Sequence, residues 1–240
     1  MNENDFARII VESKAFPTQK RLLFEMNSLF GQIDFKGKKV LDIGGGEGIL
    51  SFYAEIKGAV EVVCLEPEGE GGEMGILQKF IALQQVLQCR KVQLVKDTFQ
   101  NYITENKFDI VVMHDSVNHL NEPACINLKN IPEFRNEYVS YFKKLHDLMK
   151  PGGNLIITDC SNINFWPLVG LANPFSNTME WEKHQTPEIW KQIVEESGFM
   201  FKKLSWSSIN RFGAFGKIIF GNRLAAFFLV SHFKLYFTNL

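Results

Sequence analysis

The run Lys39-Val40-Leu41-Asp42-Ile43 breaks into Gly44-Gly45-Gly46-Glu47-Gly48 and passes straight into the helix-like stretch Ile49 to Ile56. A buried strand, a glycine turn and a helix in succession leave few architectures open. Glycines let the backbone come close to a ligand, and the helix that follows presents unpaired amides. The rest of the chain keeps the same alternation, which predicts an α/β sheet with mostly parallel strands.

Further strands are predicted at Val60–Leu65, Val92–Val95, Phe108–Met113, Asn154–Thr158, Phe201–Ser208 and His232–Thr238. Met74 to Leu87 carries Ile76, Leu77, Phe80, Ile81, Leu83 and Leu87 at helical spacing. Phe134 to Met149 reads as a helix stopped by Lys150-Pro151-Gly152-Gly153, and Thr186-Pro187-Glu188 starts another with a capping residue and a proline. Residues 5 to 34 read as one or two helices broken near Pro17.

With 45% hydrophobic and 22% charged residues and a formal charge of −1, the 240 residues suit one globular domain. The four cysteines (Cys64, Cys89, Cys125, Cys160) form no CxxC pair, so buried free thiols are expected and nothing demands a metal. Met1-Asn2-Glu3-Asn4-Asp5 is polar and acidic where a secretory signal would be basic and then apolar. The apolar run Leu224 to Val230 is too short to span a bilayer, so a cytoplasmic location is expected. No acid follows Glu196, whereas Lys202, Lys203, Arg211, Lys217, Arg223 and Lys234 do. That basic tail suits a phosphate-bearing substrate, a nucleic acid or an anionic membrane surface, or simply solvates the rim of a core segment.

A dinucleotide fingerprint spaces its glycines as GxGxxG. Here the spacing is GxGxG, with Ile49 in place of the third glycine. Asp42, just before the loop, is badly placed against a pyrophosphate and suits an amine or ammonium. Glu66 ends the second strand, where a carboxylate can accept both hydroxyls of a ribose. Asp97-Thr98 ends the third and is placed for an exocyclic adenine amine. Three acids at three successive strand ends around one glycine loop describe a site for an adenosine without phosphates.

At these residues the chain resembles the class I S-adenosylmethionine-dependent methyltransferases. Val40 to Gly48 is similar to their first motif, Glu66 to their ribose-binding acid, Asp97 to their adenine-contacting acid, and Phe108 to Leu120 to their fourth-strand motif. The resemblance implies a doubly wound, seven-stranded, mostly parallel Rossmann-like sheet with one antiparallel strand. It also implies S-adenosylmethionine as cofactor, with S-adenosylhomocysteine as product and no metal. Its cofactor residues fall on Asp42, Gly44, Gly45, Gly46, Glu66, Asp97, Thr98 and His114, the last against the methionine half. Within a single domain, 1–35 is then a helical segment, 36–160 the cofactor-binding half and 161–240 the substrate-side half with the basic aromatic tail. Gly45, an extra glycine, is expected to loosen the turn without harm.

Fold does not fix the acceptor. The expected transferase acts on a small polar acceptor, a hydroxyl of a sugar or a phosphorylated or nucleotide-linked metabolite, including precursors of surface glycans. Proton removal from a hydroxyl needs a base near pH 7, and His184 and His119 are the two candidates. His146 reads as a solvated surface residue. Trp181 and Arg211 are expected to contact substrate, the arginine through a phosphate. Asn164-Phe165-Trp166-Pro167 and Asn173-Pro174-Phe175 supply aromatics for a pocket wall or a core. The near-neutral charge disfavours nucleic acid as a partner. Alternatives are methylation of a lipid or quinone at a membrane surface, with the phenylalanine-rich tail as contact, a non-catalytic cofactor-binding subunit, and a nicotinamide oxidoreductase, which the GxGxG spacing disfavours.

Overall fold

In the computed structural model, which describes residues 1–69, 74–207 and 219–240, the predicted strand–loop–helix is built around β1 (Lys39–Ile43) and α3 (Ile49–Ile56). The chain divides into two compact units, Met1–His114 and Asp115–Leu240.

In the first unit, α1 (Glu3–Glu12) and α2 (Gln19–Phe30) are capped by Asn2 and Thr18, whose side chains accept from Asp5 N and Arg21 N. Each cap satisfies an amide that the first turn leaves unpaired. β1 lies between β2 (Glu61–Leu65) and β4 (Phe108–His114), and β3 (Val92–Val95) pairs with β2, all parallel. β1 is buried from Val40 to Ile43, as a parallel strand covered on both faces must be. Phe6, Phe30 and Phe35 close around Tyr53 of α3. The helix α4 runs Ile76–Leu87, two residues shorter than expected, because Gly75 turns the chain at φ +81°. Ile81 is 40% exposed, so the apolar repeat overstates the buried face by one residue.

The second unit opens with a 3-10 turn at Asn118–Leu120, α5 (Glu122–Asn127) and α6 (Pro132–Leu148). Next come β5 (Met149–Cys160), α7 (Phe165–Leu168), a 3-10 turn at Trp181–Lys183, α8 (Pro187–Glu196) and β6 (Phe199–Trp206). It closes with α9 (Arg223–Phe228) and β7 (His232–Asn239). β6 starts two residues before the predicted position, and Ser208 lies outside the described residues. β5 is far longer than predicted. Gly152 does turn at φ +77°, and the ladder to β7 starts at Asn154. β7 is antiparallel to both β5 and β6, which makes it the single reversed strand. Trp190, Ile193 and Val194 of α8 and Phe233, Leu235 and Phe237 of β7 are buried in this unit's core. His146 is not a plain surface residue, since its ring packs edge-on against Phe199 at 5.5 Å.

The seven strands form one sheet in the order β3-β2-β1-β4-β5-β7-β6. All four cysteines are free and buried.

Candidate active site

The glycine loop owes its shape to alternation. Gly44, Gly46 and Gly48 lie at φ +70°, +55° and +81°, in the left-handed region that side chains avoid. Gly44 N donates to Leu65 O at 2.8 Å, and Gly48 N to Gly45 O at 2.9 Å. Gly45 has no positive φ, and the expectation that it loosens the turn is wrong. A Cβ there would collide with Cys64 Sγ and sit 2.9 Å from Asp42 Oδ2, so packing demands a glycine. A Cβ on Gly46 would meet nothing within 4 Å. The open side of the loop is therefore at Gly46.

That opening belongs to a cavity of about 280 Å³ lined by Asp42, Gly44, Gly45, Gly46 and His114, with Ala15, Phe16, Glu25 and Met26 contributed by α2 and the turn before it. Asp42 is fully buried on β1. Ser51 Oγ donates to its Oδ2 at 2.7 Å, while Oδ1 has no partner. Burial lifts its carboxyl to about 6; the Ser51 hydrogen bond and the charge of His114 pull the other way. A buried, unpaired carboxylate oxygen is costly unless a donor arrives. Glu66, at the end of β2, is nearly buried and accepts from Gly46 N at 3.0 Å, which ties it to the loop. Glu66 N donates to Val95 O at 3.0 Å, so the ends of β2 and β3 are bonded. Asp97 sits two residues beyond Val95, its Oδ1 accepting from Thr98 N at 2.8 Å. None of Glu66, Asp97 and Thr98 lines the cavity.

The sequence reading missed the share of α2. Glu25 Oε1 lies 3.7 Å from His114 Nε2, yet the sequence around it shows only an amphipathic helix.

In the second unit, His184 Nδ1 lies 2.7 Å from Asp159 Oδ1 near the end of β5, and Trp190 Nε1 donates to Asp159 Oδ2 at 2.9 Å. Asp159 is fully buried, and burial holds its carboxyl above the usual range although the His184 hydrogen bond lowers it. His184 is 12% exposed. His119 is more open and rests on Glu122 at 2.7 Å; Glu122 also pairs with Lys183 at 3.0 Å, and Lys183 with Glu180 at 2.9 Å. Desolvation alone would raise the Glu122 carboxyl, but its bonds to Lys183 and His119 leave it lowered. Trp181 opens the 3-10 turn that leads to His184 and is half-buried. Arg211 lies outside the described residues. The aromatics of α7 pack with α9: Phe165 lies 5.1 Å from Phe228, and Trp166 Nε1 donates to Phe228 O at 2.8 Å. Asn173 Nδ2 donates to Asn164 Oδ1 at 3.2 Å, and both side chains bond Leu229 O, which gives these residues a structural task. Among the described residues no group of three or more His, Cys, Asp or Glu could hold a metal ion.

A family model described as a methyltransferase domain matches residues 17–202. A SAM dependent methyltransferase from Aquifex aeolicus is 16% identical, with a TM-score of 0.62, over 96% of this chain and 98% of that one. An S-adenosylmethionine dependent methyltransferase from Mesorhizobium loti is 12% identical, with a TM-score of 0.60, over 89% and 95%. The [4+2]-cyclase SpnF matches at 14% identity and a TM-score of 0.60, over 92% and 81%. At these identities the likeness shows the fold alone, and a cyclase among the neighbours illustrates why. No curated protein matches the sequence.

Proposed function

The chain belongs to the methyltransferase domain family, and from that footing we propose that it transfers a methyl group from S-adenosylmethionine to a hydroxyl of a small polar acceptor. The observation that carries the cofactor assignment is the buried, unpartnered Oδ1 of Asp42, a residue that lines the glycine-loop cavity. An ammonium is the donor that oxygen lacks, and the methionine end of S-adenosylmethionine carries one. The open face of Gly46 gives the ligand room, so the residues present fit the cofactor.

S-adenosylmethionine supplies a methyl group on a sulfonium, which needs an aligned nucleophile. Asp42 holds the amino end, Glu66 accepts from the ribose hydroxyls, and Asp97 with Thr98 receives the adenine edge. Gly44, Gly45 and Gly46 let the backbone come close, and His114 flanks the methionine half. His184 is the base. Its Nδ1–H donates to Asp159, which fixes the tautomer and leaves Nε2 to take the acceptor's hydroxyl proton. Asp159, braced by Trp190, stabilises the imidazolium that forms. His119 lacks such a buried carboxylate, which favours His184 over it. Trp181 offers a face to the acceptor, and Arg211 suits a phosphate on it. Sugars and phosphorylated or nucleotide-linked metabolites, including surface-glycan precursors, match these groups.

The test is label transfer from methyl-tritiated S-adenosylmethionine to a set of sugars, sugar phosphates and nucleotide sugars. His184→Gln should lower the rate about a hundredfold or more while S-adenosylhomocysteine binds as before. Wild-type turnover by that variant removes His184 as base.

A second reading, methylation of a lipid or quinone at a membrane surface, is favoured by exposed apolar side chains in the second unit. Leu168, Val169, Leu171 and Phe175 are more than half or half exposed, as is Leu224 of α9. No helix among the described residues is long and apolar enough to cross a membrane. Flotation with anionic vesicles separates the readings, because only this one predicts co-migration.

A further inference from the structure

The second unit holds another histidine–carboxylate pair, and the mechanism above uses neither residue. Asp115 follows His114 directly in the chain, and His232 opens β7. His232 Nε2 lies 2.8 Å from Asp115 Oδ1, and His232 Nδ1 lies 2.8 Å from Ser207 Oγ. Asp115 Oδ1 also accepts from Thr158 Oγ1 at 2.8 Å, while Asp115 N donates to Thr158 O at 3.1 Å. The carboxylate is thus held from β5 and from β7 at once. Its residue sits at φ +52°, a left-handed conformation that aspartate tolerates better than most side chains.

Serine, histidine and aspartate in hydrogen-bonded series invite comparison with a nucleophile triad. In such a triad the carboxylate is buried and the hydroxyl is the working end. Here the order is reversed: the Asp115 side chain is 49% exposed and that of His232 only 18%. The histidine is also no free base. Burial and Lys234 would lower its affinity for a proton, but Asp115, with a smaller share from Asp159, leaves it raised. An imidazolium can donate from both nitrogens, to Ser207 and to Asp115 together. The working end of this chain of bonds is the carboxylate.

We propose that Asp115 contacts the methyl acceptor, held in place by His232 and Thr158, and that it takes a group rich in hydrogen-bond donors, a hydroxyl or an ammonium. The proposal rests on the methyltransferase reading and extends it: His184 removes the proton, Asp115 binds, and His232 positions Asp115 without touching the acceptor.

The experiment uses the full chain saturated with S-adenosylhomocysteine. Ethanolamine, which carries both kinds of donor, and acetate, which carries none when ionised, are titrated in turn. The His232 ring nitrogens and the Asp115 amide are followed by ¹H–¹⁵N correlation. Ethanolamine should give a saturable shift and acetate none. Asp115→Asn should weaken the ethanolamine response at least tenfold. His232→Gln, read at the Asp115 amide, should weaken it at least threefold, and it carries the test if Asp115→Asn does not fold. No saturable shift with ethanolamine, an equal response to acetate, or an unchanged response in the variants overturns the proposal. Calorimetry with S-adenosylhomocysteine on the same sample keeps the failures apart. Cofactor binding without ethanolamine binding sinks the role of Asp115 alone, whereas absent cofactor binding sinks the reading beneath it.

Discussion

Replacing Asp42 by asparagine should make the protein more stable and less able to bind its cofactor. Asp42 is fully buried, has one unpartnered oxygen and is lifted from 3.8 to about 6. Because the folded value lies above the unfolded one, the native state binds the extra proton. The associated stability is complete below 3.8 and is lost as pH rises through about 6. At about 1.4 kcal/mol for each pH unit of difference, ionised Asp42 opposes folding by about 3 kcal/mol at pH 7.5. Asparagine keeps an oxygen for the Ser51 hydroxyl and carries no charge. Urea unfolding should therefore show Asp42→Asn gaining about 3 kcal/mol at pH 7.5 and only about 1 kcal/mol at pH 4.5. The same change removes a charge-assisted bond to an ammonium, worth about 1.5–3 kcal/mol, so S-adenosylhomocysteine should bind about ten- to a hundredfold more weakly. Wild-type affinity should also fall as pH drops below about 6, where Asp42 must lose a proton to bind. A variant no more stable than wild type at pH 7.5, or one that binds as well, would refute the reasoning.

Two glycines of the loop should behave oppositely. Gly45→Ala forces a methyl into Cys64 and Asp42 and should cost about 1–3 kcal/mol in denaturant unfolding; Gly46→Ala, with free space but φ +55°, should cost about 1–2 kcal/mol and mainly weaken S-adenosylhomocysteine in calorimetry. Asp159→Asn leaves His184 without its anchoring carboxylate, and label transfer should drop about a hundredfold or more with cofactor affinity unchanged. Tyr138→Phe removes a buried hydroxyl within 3.1 Å of Val117 O and 3.2 Å of Asn118 O and Asn121 O; thermal unfolding should report a loss of about 1–3 kcal/mol.

What could be read beforehand was whatever local patterning determines. The predicted bounds of β1 and α3 match to the residue because a parallel strand buried on both faces is an apolar run and Gly44–Gly48 punctuates it; those of β3, an edge strand with only Val92 buried, match through its β-branched ends. The acids at the strand ends followed from the topology that those strands impose. Contacts between residues distant in sequence left no such trace. Glu25 and Met26 reach the cavity only because α2 folds against it, and an amphipathic helix gives no sign of which ligand it borders. Ser207 meets His232 where β6 runs beside β7, and Asp115 reaches His232 through Thr158 of β5, the other neighbour of β7; the sequence shows three ordinary polar residues. His184 could be suspected from its type, but its buried carboxylate could not, since Asp159 reads as the polar end of an apolar strand. The role of Gly45 is not legible in the sequence, because its need for a glycine comes from Cys64 on the neighbouring strand and from Asp42, not from its own backbone angle.

The account stands or falls on the glycine-loop cavity as the cofactor site. The most direct measurement is calorimetric binding of S-adenosylhomocysteine to wild type and to Glu66→Ala. The account predicts micromolar binding to wild type and a loss of about 2–3 kcal/mol, roughly thirty- to a hundred-and-fiftyfold, when the carboxylate it assigns to the ribose is removed. No binding to wild type, or equal affinity in the variant, would contradict it.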